Sequence, residues 1–319
     1  MKKEPTTEAT HHVSLIGGLG NQLFQLAYVL SLPSNNKPIL VSGLSHTRKN
    51  QDGKPEILSF SVEAHARHIE KTPTRLFIRI HNILIRFSVE SEPSRLVTSI
   101  VKFCSSILSI LTRSNFGGRI RVAVAKGIDD SELSLQSGAS LNLGYFQTSR
   151  IIENEYVLEK MKSLEIKSPS TALLELRNLS QSENPLVVHV RLGDYKNEEN
   201  IGLLNINYYQ AALSQIWDDK KFHKIWVFSD EIDFAHHYIP LQYQKHVRWI
   251  ESVDNSPSLT FEAMRYGQGY VLANSTYSWW AAILSYSSRP TVMCPTPWYQ
   301  GKNSPKTIFS KNWHTIPRS

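Results

Sequence analysis

Pro185-Leu186-Val187-Val188-His189-Val190-Arg191-Leu192-Gly193-Asp194-Tyr195 decides how this chain folds. An apolar, β-branched run stops abruptly at His, Arg, Gly, Asp and Tyr. The apolar half shows no alternation, so it reads as a strand buried on both faces, as in a parallel sheet. The polar half falls at the strand's carboxyl end, where ligands bind in open α/β sheets. One short segment thus brings together a fixed cation, an imidazole and a carboxylate. That set suits an anionic, nucleotide-like ligand.

Downstream, strand and helix alternate. Residues 208–217 read as helix, and 224–231 as a strand ending in Asp230 and Glu231. Residues 247–250 form a short strand and 259–266 a helix. A strand at 270–276 runs into Asn274, Ser275 and Thr276, a helix follows at 277–285, and 291–294 is a last strand. Such alternation predicts right-handed βαβ units on a parallel sheet. Parallel strands place His189, Arg191, Asp230, Glu231, Asn274, Ser275 and Thr276 on one edge. Ser275, Thr276 and Ser278 open a helix, whose free N–H groups and dipole favour phosphate; simple N-capping is the alternative use of the same hydroxyls. Arg191 can hold phosphate oxygens bidentately, or serve as a structural partner of Asp194 or Asp230.

Upstream, residues 13–28 read as strand, glycine turn and helix. Gly18 and Gly20 fit G-x-G, but Leu23 stands where the third glycine of a dinucleotide fingerprint belongs, and residues 39–43 hold no acid, so NAD binding is rejected. Asn21 and Gln22 put amide groups at a strand end. Residues 141–147 form another strand with a polar and aromatic end, and 153–164 a helix. The turn-rich Lys167-Ser168-Pro169-Ser170 divides an N-terminal domain, 1–166, from a C-terminal one, 167–319. A helical insertion spans about 70–115. In it Arg75, Arg79 and Arg86 fall near one face, opposite Leu76, Ile80, Ile83 and Phe87, and a second amphipathic stretch runs over 96–111. Either both helices pack on the core with arginines in water, or the basic one lies on an anionic membrane surface.

The 319 residues allow two domains, and 41% hydrophobic with 10% aromatic content supports packed cores. A net charge of +7 fits an anionic partner, or a soluble protein with a modest basic excess. Cys104 and Cys294 imply no disulfide framework, which favours a reducing compartment. The pairs His11-His12 and His236-His237 lack metal-motif context, so no metal is expected. No secretory segment precedes Val13, and no uninterrupted apolar run is long enough to span a bilayer.

Gly17-Gly18-Leu19-Gly20-Asn21-Gln22-Leu23-Phe24-Gln25, His189-Val190-Arg191-Leu192-Gly193-Asp194-Tyr195, Val227-Phe228-Ser229-Asp230 and Ala273-Asn274-Ser275-Thr276-Tyr277-Ser278-Trp279-Trp280 occur in that order. Together with Pro295-Thr296-Pro297-Trp298-Tyr299 they resemble the α-1,2-fucosyltransferase family, glycosyltransferase family 11, over nearly the whole chain except residues 33–135. The resemblance implies a GT-B fold of two Rossmann-like domains facing across a cleft, a GDP-fucose donor, inversion at the anomeric carbon, and neither metal nor cofactor. It implies a galactose-terminated acceptor, such as a surface glycan or O-antigen repeat.

By the same resemblance Arg191 steadies the departing diphosphate and His189 contacts the nucleotide. Asp230, Asn274, Ser275, Thr276 and Ser278 line the donor site, and Gly20, Asn21 and Gln22 reach the cleft from the N-terminal domain. Three departures stand out, the first being residues 33–135, which match nothing in the pattern. Leu192 replaces the second arginine of the family's His-x-Arg-Arg-Gly-Asp. The aspartate thought to read guanine falls near Thr260, with Glu262 the nearest acid. Asp194 is the best-placed base for the acceptor proton, though it could equally orient Arg191 or cap the following turn; Asp230 is the second candidate. Acceptor choice is assigned to 33–135.

These expectations describe a cytoplasmic enzyme, peripheral to an anionic membrane if the basic helix lies on one. Two alternatives remain: the same fold using another nucleotide sugar on a lipid-linked oligosaccharide, and a non-enzymatic nucleic-acid binder. The second predicts aromatics interleaved with a basic groove, whereas the arginines of 75–86 sit on a helix without an RNA motif.

Overall fold

Apolar runs too short for helices and punctuated by glycine turns build two parallel sheets, each in its own unit. The computed structural model describes residues 10–90, 92–130 and 139–318. The first unit runs to Glu165 and takes in Pro305–Ile308; the second holds Ile166–Ser304 and the chain from Phe309 onward. Two Rossmann-like α/β units are the plan of the GT-B class.

The first unit comprises β1 (His11–Ser14), α1 (Leu19–Ser31), β2 (Ile39–Ser42), β3 (Arg67–Glu70), α2 (Arg75–Phe87), α3 (Arg95–Phe116), β4 (Arg121–Val124), β5 (Ser140–Leu143) and α4 (Glu155–Lys162). Its strand order is β3-β2-β1-β5-β4. The chain leaves β1 on one side and returns on the other, so the topological switch lies between β1 and β5. The first strand starts two residues earlier than its apolar run predicts. His11 and His12 are both buried and register against Ser140 and Leu141, and His11 Nδ1 lies 2.9 Å from Ser140 Oγ. The segment 305–308 belongs here because Asp129 Oδ2 accepts from the Lys306 and Thr307 N–H groups at 2.8 and 3.0 Å.

The inserted helices differ from their sequence reading in two ways. The buried face of α2 is Phe77, Ile80, His81, Leu84 and Ile85, while Leu76 and Ile83 are exposed. The apolar stripe therefore lies about one residue round the helix from the expected one. In addition, α3 is long and apolar enough to cross a membrane by length and composition. Lys102 and the serines interrupt its apolar run in sequence but not its helix. Its C-terminal half packs on the unit's core through Leu108, while Ser109 and Thr112 bond the Ile120 backbone.

The second unit comprises α5 (Thr171–Glu183), β6 (Leu186–Val190), α6 (Ile206–Ile216), β7 (Ile225–Ser229), α7 (Ile232–Ala235), α8 (Leu241–Gln244), β8 (Val247–Ile250), α9 (Pro257–Met264), β9 (Gly269–Val271), α10 (Thr276–Ile283), β10 (Thr291–Thr296) and β11 (His314–Pro317). The order is β11-β10-β9-β6-β7-β8, paired in parallel throughout. Every residue of β6 is buried, as its unalternating sequence requires. Leu186, Val188 and Val190 pack against Tyr208, Ala212 and Leu213 of α6, each large apolar side chain contributing about 1.5–3 kcal/mol. The chain runs β6, β7, β8 to one side and then jumps back to β9. The switch in this sheet therefore lies between β6 and β9, where a ligand crevice is expected.

Burial pushes the His81 imidazole down to about 4, against the hydrogen bond that it makes to the Asn82 amide oxygen. Its Nε2 is 3.0 Å from Ser14 Oγ. A folded pKa below the unfolded 6.5 contributes stability that is complete above 6.5 and lost as pH falls toward the folded value. Urea midpoints therefore decline through that window, and His81→Gln flattens part of the decline. An unchanged slope in the variant would remove His81 as a cause.

Candidate active site

The carboxyl ends of β9, β6 and β7 lie side by side and carry Asn274 and Ser275, Arg191, and Asp230. Arg191 sits between two carboxylates. Its Nε and Nη2 donate to Asp194 Oδ1 at 3.1 and 2.8 Å, and its Nη1 lies 3.2 Å from Asp230 Oδ2. Asp230 Oδ1 also accepts from the Leu192 N–H at 2.9 Å, tying the end of β7 to the turn after β6. The Arg191 side chain is 19% exposed and that of Asp194 47%, so the cation is mostly withdrawn from water while one partner stays wet. Burial opposes the guanidinium charge; Asp230 and then Asp194 outweigh it, and the Arg191 pKa lies above its ordinary value. Two of its five N–H donors go to Asp194. The Tyr195 ring lies under the guanidinium, 5.5 Å from its centre.

The turn that makes this possible needs Gly193. A Cβ there would stand 2.5 Å from Asp230 Oδ2. Beyond it, Asp194–Asn197 forms a single 3₁₀ turn, and Lys196 pairs with Glu231. His189 is buried at the end of β6. Its Nδ1 has no hydrogen-bond partner among the described residues, and its ring lies 6.0 Å from that of Tyr277. Burial, helped by the Arg191 charge, holds its pKa at about 3, so the imidazole is neutral at ordinary pH. Ser275 caps α10, its Oγ accepting from the Tyr277 N–H at 3.4 Å. Thr276 and Tyr277 are partly exposed at the start of that helix.

Other residues expected at a ligand are committed internally. Asn274 Nδ2 donates to the carbonyls of Ile201 and Gly202 at 3.2 and 2.9 Å, so it anchors a loop. Arg318 grips the same loop, donating to Gly202 O at 2.8 Å, an anchor that nothing in the sequence pattern marks. Ser278 is fully buried and donates to Ser275 O. Glu262 is buried; its Oε2 accepts from Arg265 at 2.8 Å and its Oε1 from the Tyr286 hydroxyl. That carboxylate is engaged on both oxygens inside the unit and does not fit the expected role of a base-reading acid.

The turn of the first unit shows the same contrast. Gln22 donates to Gly17 O and Arg48 O at 2.9 and 3.0 Å and accepts from the Ile57 N–H at 2.9 Å, fully buried. Within its own unit it clamps the turn. Gly20 is buried inside the first turn of α1. Asn21 Oδ1 accepts from Gln147 Nε2 at 3.1 Å, bridging the switch between β1 and β5. Glu56, unmarked by any motif, accepts from the Leu19 N–H at 2.6 Å and so occupies the N-terminus of α1.

The family model of glycosyl transferase family 11 matches residues 133–317, more than half of the chain. The chain belongs to glycosyl transferase family 11. It is also similar to the O-antigen biosynthesis glycosyltransferase WbnK of Escherichia coli, 25% identical over 92% of this chain and 96% of that protein. An alpha-1,2-colitosyltransferase of Escherichia coli is 30% identical over 50% of this chain and 56% of its own length. Among solved structures, the fucosyltransferase NodZ from Bradyrhizobium superposes at TM-score 0.45 with 12% identity, over 88% of this chain and 94% of that one. A superposition that loose says nothing about donor or acceptor.

As a family 11 glycosyltransferase, the protein has in Arg191 a desolvated cation at a sheet switch point. Beside it stand a neutral imidazole and a helix N-terminus, and a half-exposed carboxylate touches the cation. Gly193→Ala should displace Asp230 and with it Arg191, lowering sugar transfer by on the order of a hundredfold while far-UV circular dichroism stays native. Gln22→Leu should instead cost stability, about 2–4 kcal/mol in urea unfolding, because it strands buried backbone groups. Wild-type stability in that variant would return Gln22 to the list of ligand residues.

Proposed function

We propose that this transferase moves L-fucose from GDP-fucose onto a galactoside hydroxyl in α-1,2 linkage, with inversion, on a surface glycan or O-antigen repeat at the cytoplasmic face. The observation that carries the reading is Arg191, held between Asp194 and Asp230 beside the opening of α10. In the reaction the acceptor oxygen forms its bond to the anomeric carbon as the bond to the diphosphate oxygen breaks. The electron pair leaves with GDP, and the acceptor proton passes to a carboxylate or to water. Charge grows on the leaving diphosphate, and a fixed guanidinium in a water-poor site stabilises it without reorganising. Phosphate oxygens would meet Arg191 and the N–H groups behind Ser275 and Thr276, with the neutral His189 toward the nucleotide. Met in this way by protein groups, the leaving charge calls for no bound cofactor. Asp194 is the carboxylate proposed to take the proton, being the more exposed of the two that hold Arg191.

A second reading keeps the site and changes the sugar. It is favoured by the relative named for colitosyl transfer and by the internal engagement of Glu262, which leaves the base-reading residue unassigned.

A donor panel varying base and sugar, run against galactose-terminated acceptors with linkage analysis of the product, separates the two. Turnover of GDP-fucose to an α-1,2 product is the expected result, and no turnover of that donor sinks the first reading. Arg191→Ala should lower kcat by about 10²–10³-fold in a protein that still folds. Asp194→Asn should cost kcat far more than donor affinity; an equal loss in both would make Asp194 a positioning residue.

A further inference from the structure

The helical pair α2–α3 carries a surface that the proposed reaction does not use. Along α3, Leu96, Ile100, Phe103 and Ile110 fall on one stripe at helical spacing. They are 71, 36, 68 and 59% exposed. The stripe is about 21 Å long at 1.5 Å per residue. Arg95, Lys102 and Arg113 run beside it, all exposed. The neighbouring α2 adds Arg75, Arg79 and Arg86, also exposed, together with Leu76. Neither helix contains an Asp or Glu. Beyond the end of the stripe, Arg113 and Arg119 flank a hollow of about 440 Å³ that Ile110 also lines.

We propose that this α2–α3 surface docks the protein on an anionic lipid bilayer, lying in the interface with the α3 stripe among the acyl chains and the six cations at headgroup level. Three features select that occupant. Exposed Leu and Phe on a helix flanked by Lys and Arg are what an interfacial helix requires. A second copy of this chain is disfavoured, because a two-fold contact through the stripe would set six cations against six with no acid on either helix. A spanning helix is excluded by the opposite side of α3, where Ser109 and Thr112 bond backbone groups of residues 118 and 120 within the fold. A surface pose keeps those bonds and covers the stripe. The hollow between Arg113 and Arg119 then lies at the depth of lipid phosphates.

The test is co-sedimentation of the full chain with vesicles of phosphatidylcholine containing phosphatidylglycerol, against vesicles of phosphatidylcholine alone. Binding is expected only to the anionic vesicles and should weaken as salt rises. Arg95→Gln/Lys102→Gln/Arg113→Gln should lower the partition by on the order of a hundredfold, each cation near the surface adding its share. Leu96→Gln/Phe103→Gln should lower it without changing its salt dependence. Both variants should keep the native far-UV circular dichroism and urea midpoint, which report that they fold. Equal binding to both vesicle types, or none, overturns the proposal. So does a concentration-dependent dimer in sedimentation velocity that Phe103→Gln abolishes.

Discussion

The contact between Arg191 and Asp230 holds the second sheet's ligand edge in shape. The two residues come from the ends of adjacent strands, and the same carboxylate takes the Leu192 N–H. One aspartate thus fixes both the side chain and the backbone of the turn after β6. The turn can pass this close only because residue 193 has no side chain. Asp194 completes the arrangement from the wet side. Two carboxylates thus surround one guanidinium, and one of them stays half-exposed to water. On the proposed reading, a ligand phosphate entering here would compete with Asp194 for Arg191.

The two units use the same strand–turn–helix device in opposite ways. In each, a strand at the switch point runs into a turn and a helix whose N-terminus could hold an anion. In the first unit Glu56 already stands there, buried and bonded to the Leu19 N–H. The helix dipole stabilises that carboxylate, and its charge turns phosphate away. Gln22 and Gln25 then fill the space behind the turn with amide bonds to Gly17, Ile16, Arg48, Ile57 and Gly144. In the second unit the opening of α10 carries hydroxyls and no acid in its first turn. The two helix openings therefore differ in what stands at them, a carboxylate in the first unit and hydroxyls in the second, although their sequences announce both with similar punctuation.

That punctuation explains what could be read in advance. The second sheet was legible because its inner strands are unbroken apolar runs with chemistry at one end, and β6 is buried from first residue to last. Two of the strands that the sequence does not mark lack this signature. Arg67-His68-Ile69-Glu70 of β3 is an edge strand with both ends exposed, and β11 is a four-residue His-Thr-Ile-Pro. The site was legible as a set of residue types and illegible as a set of partners. Asn274 finds its acceptors 72 and 73 residues upstream, and Gln22 its donor 35 residues downstream. Both look like ligand residues until those distances close. Glu262 fails for the opposite reason, since its partner Arg265 is one helical turn away and both are buried.

Leu192 draws these points together. The family pattern that this segment resembles places a second arginine there, and a cation beside Arg191 would share Asp230. Here the side chain points down instead: Leu192 is 2% exposed and belongs to the core cluster beneath β6 and α6. A charged side chain in that place would have to be desolvated against Val190, Leu204 and Tyr209. Only the backbone of residue 192 reaches the site, through its N–H to Asp230. Asp230 is therefore shared between one guanidinium and one amide, not between two guanidiniums. In the proposed reaction, the positive charge that meets a leaving diphosphate is that of Arg191 and the start of α10.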